Sequence, residues 1–184
     1  MIKNLSDFPY VIKTARLMLR VIMPNMDNAE IIFNAIEQNR EYLEAWQGDL
    51  EYLRNVSDVL ERLKYRYSQI SKNEGIMFGI YDENKFIGRI RFFNVKDNSC
   101  EIGFWLIESE TGRGIMSEAL SALEIELFKF GFDKIILDID DGNIRSENLA
   151  RRNGYVFDKR LPMASWAKCI GKCDSLIFVK NKTN

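Results

Sequence analysis

The sequence contains no histidine. That absence removes Ser-His-Asp and Cys-His catalysis together, so any general base must be a carboxylate, a tyrosine, an amine or water. Cysteine is scarce, with Cys100, Cys169 and Cys173 the only thiols. An odd count at low density does not make a disulfide framework. Cys169 and Cys173 without a histidine make a poor zinc site, and no metal is expected. Charge of one sign is also lacking: 26 Lys and Arg face 27 Asp and Glu, for a net charge of −1. This balance offers no bulk attraction to nucleic acid or to an anionic membrane, so neither is expected as a partner. An anionic ligand must therefore be held by a local device. Long apolar runs are missing too. The N-terminal Met1 to Asp7 does not read as a signal peptide, nothing approaches a membrane span, and a cytoplasmic location is expected.

What is present is a globular composition, with 46% hydrophobic and 29% charged residues in 184. A chain of this length buries roughly 70% of its unfolded surface, and the whole of 1–184 reads as a single domain of the α+β class. Thr14 to Val21 alternates as a first strand, with Leu17, Leu19 and Val21 on one face. Asp27 followed by Glu30 resembles a capping box, and the helix after it places Ile32, Phe33 and Ile36 on one face. Asn39 to Trp46 continues that helix or starts a short second one. Ser57 is expected to cap a further helix carrying Val59, Leu60, Leu63, Tyr67 and Ile70. The period then changes. Ile76 to Tyr81, Phe86 to Phe93 and Cys100 to Ile107 read as strands of an antiparallel meander joined by short turns. A helix with Met116, Leu120, Leu123, Leu127 and Phe130 on its apolar face follows, closed by Gly131. Lys134 to Ile139 is a short strand of the buried, parallel type. Asn143 to Asn153 is the next helix. Tyr155 to Asp158 and Ser175 to Lys180 are the last strands, joined by a long connection, with Ser175 to Lys180 as an edge able to pair between subunits. Monomer and homodimer both remain open.

The order strand, Gly-x-Gly, helix marks the segment Thr111-Gly112-Arg113-Gly114-Ile115-Met116-Ser117. A helix start offers unpaired backbone N–H groups and a partial positive charge. Glycine lets the backbone approach a phosphate closely. Together they form an anion cradle without net protein charge, to which Arg113 adds a local cation. The competing reading is a tight strand-to-helix turn that binds nothing. No Gly-Lys-Ser/Thr follows, so it is not a P-loop, and the preceding meander excludes a Rossmann fingerprint.

In context the segment is more specific. Glu101-Ile102-Gly103-Phe104-Trp105-Leu106 followed by Gly112 to Leu120 resembles the central motif of the GNAT acetyltransferases. Asp141 to Ser146 and Leu149 to Tyr155 resemble that family's next helix, while Thr14 to Arg20 and Asn39 to Trp46 resemble the branch containing the Rim-type ribosomal-protein acetyltransferases. The resemblance runs from about Thr14 to Val179. It implies a GNAT fold: a mixed, mostly antiparallel sheet flanked by helices, with a V-shaped splay that admits acetyl-CoA. The pantetheine would pair with the backbone of Trp105, Leu106 and Ile107. The pyrophosphate would meet the loop amides up to Ser117. Asn143 would contact the pantetheine, and Ser146 would lie near the sulfur. Two positions depart from the family pattern. Ser109 stands where a glutamine or arginine is usual, and Ala150 stands where many members carry a tyrosine as general acid.

The implied reaction is acetyl transfer to a primary amine, with the α-amino group of a ribosomal-protein N-terminus favoured by the branch. A polyamine, an amino sugar, an amino-acid-containing toxin, or a non-catalytic acyl-CoA-binding domain are the alternatives. With Ala150 in place of tyrosine, Ser146 is the candidate acid. Glu101, at the start of the strand leading to the cleft, is the first candidate base; it reads equally as a surface carboxylate on a half-exposed strand. Trp46 borders the expected acceptor site. Trp105 and Tyr155 fit either that site or the core. Arg151 and Arg152 fit either a ribose phosphate or a solvated helix face.

Overall fold

The computed structural model describes residues 3–183. The single-domain expectation over 1–184 includes Met1, Ile2 and Asn184, which lie outside the described residues. Among the described residues eight strands form one sheet in the order β1-β2-β3-β4-β5-β6-β8-β7. They are β1 (Val11–Lys13), β2 (Leu17–Val21), β3 (Ile76–Asp82), β4 (Lys85–Lys96), β5 (Ser99–Leu106), β6 (Lys134–Asp140), β7 (Val156–Ala167) and β8 (Gly171–Asn181). Every neighbouring pair is antiparallel except β5 and β6. The architecture is the α+β one expected, a mixed and mostly antiparallel sheet with helices.

Among the described residues there are five α-helices: α1 (Met26–Glu37), α2 (Arg40–Glu44), α3 (Val56–Ser71), α4 (Ile115–Phe130) and α5 (Ile144–Arg152). The α4 face anticipated from its spacing, Met116, Leu120, Leu123, Leu127 and Phe130, is buried. None of the described helices is long and apolar enough to cross a membrane. The caps of α1 and α3 lie two residues before those of the sequence reading. Asn25 caps α1, its side chain accepting from the Asn28 amide. Asn55 and Asp58 form the reciprocal box of α3. Asn is as good a cap as Asp or Ser, so local pattern alone does not choose among adjacent candidates.

The C-terminal region departs most from expectation. The long connection before Ser175 is itself strand, and β7 and β8 form a hairpin reaching Ala167 and Gly171. Ser175 to Lys180 is therefore no edge, because β8 lies between β6 and β7. The edge belongs to β7, most of whose residues are exposed. A strand exposed on both faces lacks the alternation that marks a half-buried one, and for that reason it reads as a loop.

Candidate active site

The site begins where β5 and β6 part. Their parallel pairing runs from Ser99–Lys134 to Glu101–Ile136 and stops there, although β5 continues to Leu106 and β6 to Asp140. A cleft of about 840 Å³ opens at this parting. Its walls are β5 (Phe104 to Leu106), the start of α4 (Thr111, Gly112 and Gly114 to Ser117), the turn into α5 with that helix (Gly142 to Ser146, Asn148, Leu149, Arg152), and α2 with its following residues (Tyr42, Leu43, Trp46, Gln47).

The glycine loop is open to a ligand. Gly112 and Gly114 hold φ of +77° and +75°, and Gly114 is the N-cap of α4. A side chain strains that left-handed conformation. Among the described residues, none of the amides from Gly112 to Ser117 donates within the protein. A row of free amides at the head of a 16-residue helix is an arrangement able to hold an anion. The side-chain cations around it differ from the sequence reading. Arg113 is turned to the buried Glu110 carboxylate, which Lys85 also approaches at 3.3 Å, and its side chain does not line the cleft. Arg16 stands beside the loop instead, with Nη1 donating to the Arg113 carbonyl at 3.3 Å and Nη2 placed 3.8 Å from where a Gly114 side chain would begin. Glu118 holds Arg16 by an ion pair of 2.7 Å. Burial pushes the Glu118 carboxyl up, but hydrogen bonds from Thr14 and Arg16 outweigh that and keep it below its ordinary value. Arg152 lines the cleft and donates from Nε to Ser117 Oγ at 3.2 Å. Arg151 does not; it lies over the Phe178 ring.

The strand wall is narrower than the resemblance implies. Beyond Glu101 the β5 backbone facing β6 has no strand partner, so Trp105 and Leu106 can offer polar groups to an extended ligand. Ile107 is already engaged within the protein: its amide donates to the Ile87 carbonyl and its carbonyl accepts from the Glu110 amide. Asn143 caps α5, with Oδ1 accepting from the Ser146 amide at 3.2 Å, which leaves Nδ2 for a ligand. Ser146 lines the cleft. Ser109 is exposed and outside it, and Ala150 is fully buried. A phenol is nevertheless present, supplied by α2. The Tyr42 hydroxyl accepts from Arg145 Nη1 at 3.4 Å, and both residues line the cleft. The sequence reading missed Tyr42 because only tertiary packing brings α2 to α5.

Trp46 and Trp105 both line the cleft. Trp105 is also core, its ring edge-on to Phe86, and its buried Nε1 has no partner. Two expected residues lie elsewhere. Tyr155 is buried near Glu124 of α4 and Lys180 of β8 and does not line the cleft, and burial and then the Glu124 charge push its phenol far up. Glu101 occupies the last paired rung before the splay, half-buried and outside the cleft wall. The β7–β8 hairpin adds a contact no local pattern announces. Lys168 pairs with the buried Glu44, the Cys169 amide reaches the Ala45 carbonyl at 3.4 Å, and Ile170 stands 3.6 Å from the Cβ position of Gly142. The hairpin thus clamps α2 against the cleft mouth.

Comparison with known proteins places this geometry. The acetyltransferase (GNAT) domain family matches residues 16–156. The chain is 26% identical over 138 residues to a ribosomal-protein-serine acetyltransferase of Escherichia coli K12, covering 73% of this chain and 77% of that protein. Among solved structures, RimL, a ribosomal-protein α-N-acetyltransferase in complex with coenzyme A, superposes with a TM-score of 0.87 at 20% identity, covering 93% of this chain and 97% of that one. The microcin C7 self-immunity acetyltransferase MccE, in complex with acetyl-CoA and AMP, gives 0.84 at 21% identity, with 92% and 94% covered. Mycobacterium smegmatis RimJ, in complex with a CoA disulfide, gives 0.82 at 20% identity, with 90% and 81% covered.

Proposed function

The chain belongs to the GNAT acetyltransferase family and is an acetyl-CoA-dependent enzyme, and from that premise we propose that its acceptor is the α-amino group of a protein or peptide N-terminus, of the kind presented by ribosomal proteins. The observation that carries the donor side is the row of free amides from Gly112 to Ser117 on the wall of the splayed cleft. The similarity to a ribosomal-protein-serine acetyltransferase supports the acceptor class. One domain, working as a monomer or a homodimer, suffices for this reading.

The residues divide the work as follows. The loop amides and the α4 dipole hold the pyrophosphate, with Arg16 and Arg152 as nearby cations. Trp105 and Leu106 align the pantetheine along β5, and Asn143 Nδ2 meets it from α5. Backbone N–H groups of β5 polarise the thioester carbonyl. The amine nitrogen bonds to the acetyl carbon, the C–S bond breaks, the departing thiolate takes a proton from Ser146 or Tyr42, and that hydroxyl regains one, through water, from the nitrogen that becomes the amide. Holding the two reactants in one cleft contributes much of the rate. Glu101 lies outside the cleft wall, so the proton from the ammonium leaves through water. Trp46 and Trp105 border the amine.

The test is release of free CoA thiol from acetyl-CoA with peptides beginning in Ser or Ala. Turnover with an N-terminal Ser or Ala peptide, lost when that amine is blocked, supports the reading. Turnover confined to small amines refutes the peptide acceptor. CoA binding without any turnover leaves a non-catalytic acyl-CoA-binding role.

A further inference from the structure

On the face of the β4–β5 pair covered by α1 and α3 lies a group of arginines that the cleft chemistry does not use. Arg89 and Arg91 are two apart on β4 and so share a face, opposite Trp105 and Gly103 of β5. Arg62 and Arg66 stand one turn apart on α3. A second cavity of about 30 Å³ has Asp49, Arg62, Arg66, Arg89 and Trp105 in its wall. Among the described residues Asp49 is the one carboxylate paired with the group, 2.9 Å from Arg62 and 3.9 Å from Arg89. Arg91 lies where Gly103 has no side chain, over the Phe93 ring, and its buried Nε and Nη1 have no partner. Burial, then the charges of Arg89 and Arg66, pull the Arg91 guanidinium down to about 9. Four cations around one carboxylate, with donors left open, form an environment short of negative charge.

Two links join this group to the catalytic cleft. Gln47 lines the cleft, and its Oε1 accepts from Arg89 Nη2 at 3.4 Å. Trp105 lines both cavities and carries the unpartnered indole N–H. We propose that this arginine cluster receives a carboxylate of the acceptor, so that the preferred substrate is a primary amine with an acidic group close to it. The inference rests on the amine-acceptor reading above. The entering carboxylate takes the place of the neutral Gln47 oxygen at Arg89, where a charge-assisted bond is stronger than the amide contact. The cavity has room for about two water molecules, which matches the two oxygens of a carboxylate. The same charges oppose a polyamine.

The experiment uses the full chain saturated with CoA and reads binding, so it does not depend on turnover. Formate and formamide are compared by thermal shift, and the amidated tripeptides Ser-Asp-Ala and Ser-Asn-Ala by calorimetry. Formate raises the Tm and formamide does not; the acidic peptide binds about tenfold tighter. Arg89→Gln removes both effects. Gln47→Glu, which installs a carboxylate beside Arg89, raises the Tm by itself and abolishes the formate shift and the peptide preference. A formate shift without peptide discrimination reduces the cluster to an inorganic-anion site and overturns the acceptor assignment. Failure of both peptides to bind overturns it as well. No formate shift, together with a Gln47→Glu protein no more stable than the parent, shows that there is no anion site. Absence of acetyl transfer with the binding preference intact counts against the enzymatic acceptor reading alone.

Discussion

The Arg16 guanidinium donates to the main-chain carbonyl of Arg113 at 3.3 Å, across 97 positions of sequence. This contact sets a cation from the residue before β2 against the glycine loop, while the loop's own arginine is turned to Glu110. Arg16→Ala is expected to weaken CoA about three- to tenfold by calorimetry, with little change in Tm because Arg16 is half exposed. Unchanged affinity would remove Arg16 from the phosphate site.

Gly114→Val places a β-branched side chain at φ +75° in the N-cap of α4. The strain is about 1–2 kcal/mol, and the loop amides shift. CoA affinity is expected to fall about tenfold or more, with the far-UV circular dichroism retained. A variant that binds CoA normally would make the loop only a turn.

Tyr42 and Ser146 both line the cleft and are the two hydroxyls proposed as the acid. Phenols are stronger acids than aliphatic alcohols. Tyr42→Phe is therefore expected to lower kcat about tenfold or more, and Ser146→Ala by less, with the KM for acetyl-CoA held in both. The reverse order would assign the proton to Ser146.

Glu101 pairs with Ile136 below the splay and does not line the cleft. Steady-state kinetics of Glu101→Gln should stay within about threefold of the parent in kcat/KM, against the 10²–10⁴-fold loss typical of removing a general base. A larger loss, with a displaced pH profile, would restore it as the base.

Glu44 joins α2 to the β7–β8 hairpin through Lys168 and to Arg40. Hydrogen bonds from Lys168 and Arg40 hold its carboxyl below the ordinary value despite burial. The folded form thus binds its proton less readily than the unfolded chain. The stabilisation is present above the unfolded carboxylate pKa of about 4.3 and is lost as pH falls through the lower folded value. Glu44→Gln should cost about 1–2 kcal/mol at neutral pH, and the difference in Tm from the parent should shrink below about pH 4. A difference independent of pH would exclude the ion pairs as its source.

The peptide reading and the arginine cluster meet at Gln47, which the sequence does not distinguish from any other surface glutamine. The glycine loop was legible because its chemistry is local: two glycines, a strand before and a helix after place free amides by backbone geometry alone. The same holds for the apolar face of α4 and for Asn143, which caps its own helix. Arg113 looked like a phosphate cation because sequence shows adjacency and not direction, whereas the fold pairs it with Glu110.

By itself, then, the sequence determined the meander, the parallel strand after it, the glycine loop at the head of α4 and the exclusion of histidine chemistry, since these depend on periodicity, turn residues and composition. The tertiary structure decided the rest. It put Tyr42 of α2 beside Arg145 of α5, Arg16 beside Gly114, Tyr155 in the core, and four arginines around one carboxylate. Those relations join residues tens of positions apart, and their physical basis is close packing: which side chains meet is fixed only when the layers of the sheet and helices close on one another.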